Sequence, residues 1–355
     1  MNTIITILIL CIILGLIISI HEFGHFIAAK KSGVYVDEFS IGMGPVLWKH
    51  KPKDSETTYS LRLLPIGGFV SMAEKKDPSN RKIKKDQILE NKSFLHNLWV
   101  FINGIVFNFL LAIVLFFISG LLYGRPISEP IVSSVSEGGA AEKAGLATGD
   151  RIIKVNGVNI STLDDFLLEA SAKKLEKNYV FTVKKADGTT VEYNLVPEVK
   201  RDSKGNEESR IFGIMFSGGT HKKGFGQAII YGFTGFYENF ITIFKILGSL
   251  FTGKVSTKSL SGPVGIYSLV DSVKSQGLET LIYLTAYLSI NVGIINLFPI
   301  PVFDGGRIFI LIIEKIIKRK TDEKLENALN LVGFGLMILL MLYVTFNDII
   351  RLVVK

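Results

Sequence analysis

Long apolar runs dominate the hydrophobic pattern of this chain. The first run covers residues 3–20 and meets no charged residue before Glu22. Three later runs cover residues 98–123, 280–300 and 330–346. A helix needs about 20 predominantly apolar residues to cross a bilayer. The pattern therefore predicts four membrane-spanning helices.

Residues 126–199 follow a different pattern. Apolar and polar residues alternate over 179–183, a turn is expected at Asp187-Gly188, and a polar helix is expected over 163–172. These features predict a soluble domain of fewer than 100 residues between the second and third spans.

Composition and charge indicate a membrane protein that carries a polar domain. The 355 residues are 48% hydrophobic with a mean hydropathy of +0.38, and 20% are charged. The net charge is +8, but Lys and Arg cluster beside the apolar runs, where lipid headgroups lie. We therefore expect membrane lipids as partners and no nucleic acid. Cys11 is the only cysteine, which excludes an intramolecular disulfide and a Cys-x-x-Cys metal site.

The distribution of positive charge predicts the orientation. A cleaved signal peptide has positive charge before its apolar run, whereas here Lys30-Lys31 follow the run. The loop over 30–96, with its basic stretch at 81–85, and the link over 307–324 are both rich in Lys and Arg. The positive-inside rule places both in the cytoplasm, so we expect an uncleaved first span and both termini outside.

The first run ends in the sequence His21-Glu22-Phe23-Gly24-His25. On a helix of 3.6 residues per turn, His21 and His25 lie one turn apart on one face, with Glu22 beside them. This is the His-Glu-x-x-His arrangement, in which two imidazoles bind zinc and the carboxylate is the general base toward a metal-bound water. Polar residues that merely end a span would explain one histidine but not the pair with Glu22. We expect a catalytic Zn²⁺.

A catalytic zinc site usually has a third protein ligand. The three histidines outside the motif lack a partner pattern. The third apolar run leads into a segment with two prolines and Asp304, and irregular backbone at membrane depth is tolerated only where it lines a cavity. Asp304 can supply the missing carboxylate. Alternatively, Asp304-Gly305-Gly306 is a plain turn.

A fifth apolar stretch, residues 225–251, is also long enough to span the membrane. A fifth span would reverse the segment before Asp304 and place that carboxylate on the far side of the membrane from His21. We therefore predict an amphipathic helix in the outer interface. The residues expected to face lipid or the core are Phe225, Ile229, Phe233, Phe236 and Phe240, and those expected to face water are Glu238, Asn239 and Lys245.

Residues 140–157 (AAEKAGLATGDRIIKVNG) resemble a bacterial PDZ domain of the permuted kind. The resemblance implies a module that adds a peptide as an extra strand and captures a C-terminal carboxylate. A rigid spacer that restricts access without binding a peptide is the alternative.

The metal motif and several later stretches together resemble the site-2 protease family of intramembrane zinc metalloproteases. The matching stretches are His21–His25, the Asn-x-x-Pro-x-Pro-x-x-Asp-Gly pattern from Asn296 to Gly305, and residues 38–45, 64–70 and 261–265. The chain is most similar to the bacterial branch, the regulator of sigma-E protease type, here with a single PDZ domain. The resemblance implies that His21, His25 and Asp304 hold zinc and that Glu22 is catalytic.

The resemblance also implies substrate contacts. Asn296 would position the scissile segment or its developing oxyanion, unless it only satisfies backbone groups freed by Pro299. Residues 59–72 resemble the family's membrane-dipping β-element, whose open edge would pair with an unwound substrate. A cytoplasmic hairpin without substrate contact is the alternative. The predicted substrate-binding residues are Asn296, Pro299, Gly67 and Gly68.

The predicted fold is an α-helical polytopic membrane protein with four transmembrane helices, an inserted extracytoplasmic PDZ domain (α+β) and a membrane-associated β-hairpin. Its predicted parts are an N-terminal membrane core (1–124), the PDZ domain (126–199), an extracytoplasmic linker with the interfacial helix (200–279) and a C-terminal membrane core (280–355). The expected function is that of a zinc metalloendopeptidase of the bacterial cytoplasmic membrane. It would cleave transmembrane segments of single-span proteins, such as anti-sigma factors or remnant signal peptides, in regulated intramembrane proteolysis. The alternative is a non-catalytic membrane PDZ scaffold with a vestigial zinc site.

Overall fold

The structure is a computed structural model that describes residues 2–73, 83–170, 178–201, 207–221, 223–253, 255 and 260–353. Residues 81–82 of the predicted basic stretch and 171–172 of the predicted polar helix lie outside these ranges. The chain divides into two compact units. One is formed by Met1–Phe116 with Ser261–Lys355, and the other by Phe117–Leu260.

Helices dominate the first unit, and the described residues of the second unit form eight short strands together with several helices. In chain order the helices and strands are α1 (Asn2–Lys31), β1 (Val36–His50), β2 (Thr58–Met72), α2 (Phe94–Leu122), β3 (Val132–Val135), α3 (Ala140–Ala144), β4 (Arg151–Val155), β5 (Val158–Asn159), α4 (Leu163–Ala170), β6 (Tyr179–Lys184), β7 (Thr190–Leu195), β8 (Glu198–Arg201), β9 (Glu207–Ile211), β10 (Ile214–Phe216), α5 (Phe225–Phe251), α6 (Pro263–Val273), α7 (Leu278–Leu297), α8 (Asp304–Ile317) and α9 (Glu323–Val353). Two short 3₁₀ turns, Lys85–Gln87 and Leu89–Asn91, precede α2.

Four helices in the described ranges are long and apolar enough to cross a membrane. They are Thr3–Lys31, Phe94–Leu122, Leu278–Leu297 and Lys324–Arg351. The prediction of four spans is confirmed, and α5 is not among them. The helices extend beyond the apolar runs, because a helix continues through polar flanking turns that a hydropathy pattern does not count. α1, for example, ends at Lys30 and Lys31.

The strands β1 and β2 form one antiparallel hairpin, in which Val36 pairs with Met72 and His50 with Tyr59. The hairpin packs closely on α1, since a Cβ at Gly15 would lie 2.1 Å from the carbonyl oxygen of Pro65. Only a glycine permits this approach. The hairpin also presents a set of exposed apolar side chains: Met43, Val46, Leu47, Trp48, Leu61, Leu63, Leu64 and Ile66.

A buried carboxylate on α9 joins that helix to the N-terminus of α6. Asp348 is 2% exposed and accepts the backbone N–H groups of Gly262 and Gly265, each at 2.8 Å. Its other oxygen pairs with Arg351 at 2.6 Å. A carboxylate in a membrane helix is costly unless such partners satisfy it. The helix α6 is thereby fixed against the last span.

The second unit contains a four-stranded sheet with the order β5-β4-β6-β7 and a separate pair, β3 with β10. Its apolar core includes Val132, Ile152, Phe166 and Phe181, which are almost fully buried. Phe212 belongs to the same core, so the packed module continues beyond residue 199. The expected strand over 179–183 is β6, and the expected turn is closed by Asp187, which accepts the N–H of Thr189.

The helix α5 spans the residues predicted for it, 225–251, but one of its faces differs from the expectation. Phe225 and Phe233 are exposed, and Lys245 pairs with Asp165 at 2.6 Å. Asn239, which was expected to face water, is 7% exposed. Its side-chain amide donates a hydrogen bond to the carbonyl oxygen of Gly235 at 2.8 Å, so the buried polar group has a partner within its own helix.

Candidate metal centre

Three side chains from the two ends of the first unit converge on one point. His21 and His25 lie one turn apart on α1, and Asp304 is the first residue of α8. The Nε2 atom of His21 lies 3.0 Å from Oδ2 of Asp304, and the Nε2 atom of His25 lies 3.2 Å from the same oxygen. The two Nε2 atoms are 3.1 Å apart. These atoms therefore face a common centre, as ligands of a single ion do.

The break between α7 and α8 places Asp304 at this centre. α7 ends at Leu297, and the chain then passes through an irregular segment in which Val302 has a φ of 104°. A Cβ at Gly305 or at Gly306 would lie 2.3 Å from a backbone carbonyl oxygen of this segment. The two glycines are thus needed for the first turn of α8 to approach the break. Asp304-Gly305-Gly306 begins a helix and is not a plain turn.

Hydrogen bonds at Nδ1, the ring nitrogen that faces away from the centre, orient both imidazole rings. Nδ1 of His25 lies 2.8 Å from the carbonyl oxygen of Val100, so Nδ1 carries the proton and Nε2 keeps its lone pair. Nδ1 of His21 lies 3.2 Å from the side-chain amide of Asn108, whose Oδ1 is buried without a hydrogen bond among the described residues. When the Asn108 amide is oriented with Oδ1 toward His21, Oδ1 accepts a hydrogen bond from the Nδ1–H of His21, and both atoms have a partner.

The residues present fit a zinc ion. Two Nε2 lone pairs and a carboxylate oxygen lie within 3.2 Å of one another, and such electron-rich atoms repel unless a cation or proton lies between them. Oδ2 of Asp304 is buried without a conventional hydrogen bond from any described residue. Gly104 keeps space beside the rings, because a Cβ there would lie 2.4 Å from Nε2 of His25. Two imidazoles and one carboxylate are a donor set of catalytic zinc sites.

Glu22 lies beside the centre in a cavity of about 380 Å³. The cavity is also lined by Asn296 and by Val70 of the hairpin, whose backbone amide is directed at the Glu22 carboxylate. Pro299, Gly67 and Gly68 do not line this cavity. Gly67 and Gly68 are buried within the hairpin, where a Cβ on Gly68 would lie 2.6 Å from the carbonyl oxygen of Ser40.

Three contributors to the site were missed by sequence reasoning: Gly104, Asn108 and the Val70 amide. A sequence signal exists for Asn108, because a polar side chain inside a long apolar helix is costly and needs a partner. Gly104 carries no such signal, since glycine is common in membrane helices. No sequence signal marks Val70, since any residue except proline supplies a backbone N–H.

Comparison with known proteins gives consistent similarities. The model of peptidase family M50 matches residues 9–340. A Bacillus subtilis protein named regulator of sigma-W protease RasP is 31% identical and aligns over 98% of this chain and 99% of its own length. A protein of Clostridium acetobutylicum with a zinc metalloprotease name is 34% identical and aligns over 95% of both chains. A Clostridium perfringens protein with the same kind of name is 35% identical over 94% of this chain and 95% of its own length.

One solved structure covers part of the chain. The crystal structure of the PDZ domain of an SdrC-like protein from Listeria innocua is 24% identical and covers 27% of this chain and 99% of that chain. The TM-score is 0.20, a value that does not establish a shared fold.

Proposed function

Since this chain belongs to peptidase family M50, the site-2 protease family, and is a zinc metalloprotease with several membrane spans, we propose that His21, His25 and Asp304 hold its zinc ion and that Glu22 is its general base. One observation carries the proposal. Ligand atoms from α1 and α8 meet within 3.2 Å of one another, and Glu22 lies in the cavity beside them.

Each residue has a separate task in the proposed hydrolysis. When bound, zinc lowers the pKa of its water and polarises the scissile carbonyl. The Val100 carbonyl and Asn108 hold the imidazoles in the tautomer that leaves Nε2 free. Glu22 takes the proton of the attacking water and delivers it to the leaving amide nitrogen. The Val70 amide orients the Glu22 carboxylate.

Asn296 lines the same cavity, and we assign it the positioning of the scissile segment or of its developing oxyanion. Pro299 lies in the break that follows α7, where it keeps the backbone irregular next to the cavity. Gly67 and Gly68 contribute indirectly, because their close packing supports the strand that carries Val70.

The hairpin is proposed to enter the membrane and to contact the substrate. Its exposed apolar side chains would be unfavourable in water and are compatible with lipid. Within the hairpin, residues 38–41 of β1 pair with both 58–61 and 68–71 of β2, so these inner segments are closed on both sides. The two marginal segments, 46–50 and 68–72, are each paired on one side and leave N–H and C=O groups on the other side for a further strand. A substrate span that unwinds beside one of these segments exposes its peptide bond, as hydrolysis requires.

The orientation follows from charge. Lys30 and Lys31 end α1 beside the metal motif, and Lys318-Arg319-Lys320 follow α8. We place these ends and the metal centre at the cytoplasmic face of a bacterial cell membrane, with both termini outside. The module predicted over 126–199, whose packed core includes Phe212, would then lie outside as a PDZ domain that binds or excludes the trimmed ends of substrates.

The proposed substrates are single-span proteins already shortened outside, such as anti-sigma factors, or remnant signal peptides. The name of the Bacillus subtilis relative, which states a role in sigma-W regulation, supports the first class.

Metal binding and proton transfer can be tested separately. Glu22→Gln should retain about one zinc per chain and lose cleavage by at least about 100-fold. His21→Ala and Asp304→Ala should lose zinc itself. Zinc content of the purified variants and cleavage of a single-span reporter are the measurements. Substantial cleavage by Glu22→Gln would refute the mechanism, and a wild-type protein that binds zinc without cleaving would favour the scaffold alternative.

A further inference from the structure

A second, larger cavity adjoins the metal cavity within the first unit. It has a volume of about 750 Å³ and lies between the start of α2, the helix α8 and the start of α9. Four residues line both cavities: Val70, Met72, Phe101 and Arg307. Arg307 lies one turn after Asp304 on α8. A polypeptide that extends from the metal centre past Arg307 therefore reaches the larger cavity.

Positive charge is in excess around this second cavity. Three carboxylates line it, against six cationic side chains: Lys92, Arg307, Lys315, Lys318, Arg319 and Lys320. Some of these cations have partners, since Lys320 donates to the carbonyl of Glu90 and Lys315 lies over the ring of Phe94 at 5.2 Å. Three other cations of the lining remain available to bind an acidic ligand.

Lys92, Lys318 and Arg319 form no ion pair with any residue in the described part of the chain. Lys318 and Arg319 are exposed, so their charges are available to a ligand without desolvation of an existing pair. These three side chains therefore bring uncompensated charge to the cavity lining, and two of them are exposed.

A polar group in the cavity wall needs a hydrogen-bond donor. Asn97 lines the cavity and is 7% exposed, and its Oδ1 atom is buried without a partner among the described residues. A peptide backbone supplies N–H donors, whereas the phosphate of a lipid headgroup offers only acceptors. Asn97 needs a donor and the cations need an acidic group, and an acidic peptide supplies both as backbone N–H groups and side-chain carboxylates.

We propose that this cavity binds the cytoplasmic flank of the substrate and selects flanks with acidic side chains. The inference rests on the proposed function, because it assigns this flank to a substrate cleaved at the metal centre. Cytoplasmic flanks of membrane spans are usually rich in Lys and Arg. A cationic cavity repels such flanks, including the basic n-regions of signal peptides, so of the two proposed substrate classes it favours anti-sigma factors with acidic flanks.

The test uses purified full-length protein in vesicles of phosphatidylcholine alone and three forms of one single-span substrate. The forms differ only in a flank of aspartates, serines or lysines. We expect the wild type to have a KM about tenfold lower for the aspartate form than for the lysine form, with similar kcat values. Lys318→Glu combined with Arg319→Glu should remove or invert this preference, measured within that variant as the ratio of the KM values for the aspartate and lysine forms. Raising the ionic strength should weaken the wild-type preference.

A matched control changes the same net charge elsewhere. Lys51→Glu combined with Lys53→Glu alters two exposed lysines between β1 and β2 and should keep the wild-type preference. An unchanged KM ratio in Lys318→Glu/Arg319→Glu would overturn the proposal. A second set of vesicles contains added phosphatidylglycerol. An effect of the variant that appears only in these vesicles and is equal for all three substrates would also overturn the proposal, since that result assigns the cavity to lipid. Failure of the wild type to cleave even the serine form would instead refute the proposed function.

Discussion

Gly104 allows the sharpest test of the metal centre. In Gly104→Ala the added Cβ would lie 2.4 Å from Nε2 of His25 and 2.8 Å from Cε1 of His21. Real Cβ atoms do not approach other atoms within 3.0 Å, so the ring of His25 must withdraw by at least about 0.6 Å. Zinc ligand distances tolerate about 0.2 Å. We therefore expect zinc affinity to fall by at least about 100-fold.

The same substitution should not unfold the protein. Alanine is favoured over glycine in a helix interior by about 1 kcal/mol, and the displaced rings are ends of side chains that can rotate. The assay is competition for zinc with a chelator of known affinity, together with thermal unfolding of the metal-free protein. Gly335→Ala on α9, where a Cβ meets no atom within 4 Å, is the control and should retain wild-type affinity. Wild-type zinc affinity in Gly104→Ala would refute the assigned geometry.

Three further predictions concern the site, the fold and the topology. Asn108→Leu should weaken zinc binding by about 10- to 100-fold in the same chelator competition, because an imidazole ring loses its orienting partner; equal affinity would exclude that role. Asp348→Ala should lower the free energy of unfolding by about 2–3 kcal/mol, seen as a lower Tm in detergent, since two backbone N–H groups lose their acceptor; an unchanged Tm contradicts it. With the native cysteine replaced, Lys223→Cys and Thr252→Cys should both react with an impermeant reagent from outside, and Lys53→Cys only after permeabilisation. Opposite labelling of the first two would make α5 a span.

The sequence predicted those features that depend on local pattern. Apolar length identifies the four spans once residues 225–251 are set aside by the position that Asp304 needs relative to His21. The spacing of His21 and His25 places them on one helical face. Pairing between distant elements is different, because no periodicity reveals which helix faces which. The contacts of Gly104 and Asn108 with the imidazoles arise from the packing of α2 on α1. The prediction that Asn239 faces water was wrong for a related reason. Its amide bonds to a carbonyl of its own helix, so it does not need water as a hydrogen-bond partner.

The distance along the chain between the two halves of the metal centre has a consequence for biosynthesis. Roughly 280 residues separate His25 from Asp304. At about 5–20 residues per second, a ribosome needs on the order of 15–55 s to make that interval. Throughout this time the nascent chain carries two imidazoles and Glu22 in the membrane without the carboxylate that completes the site. With the proposed ligand set, the emerging chain cannot cleave neighbouring nascent spans, and a product truncated before Asp304 is expected to be inert.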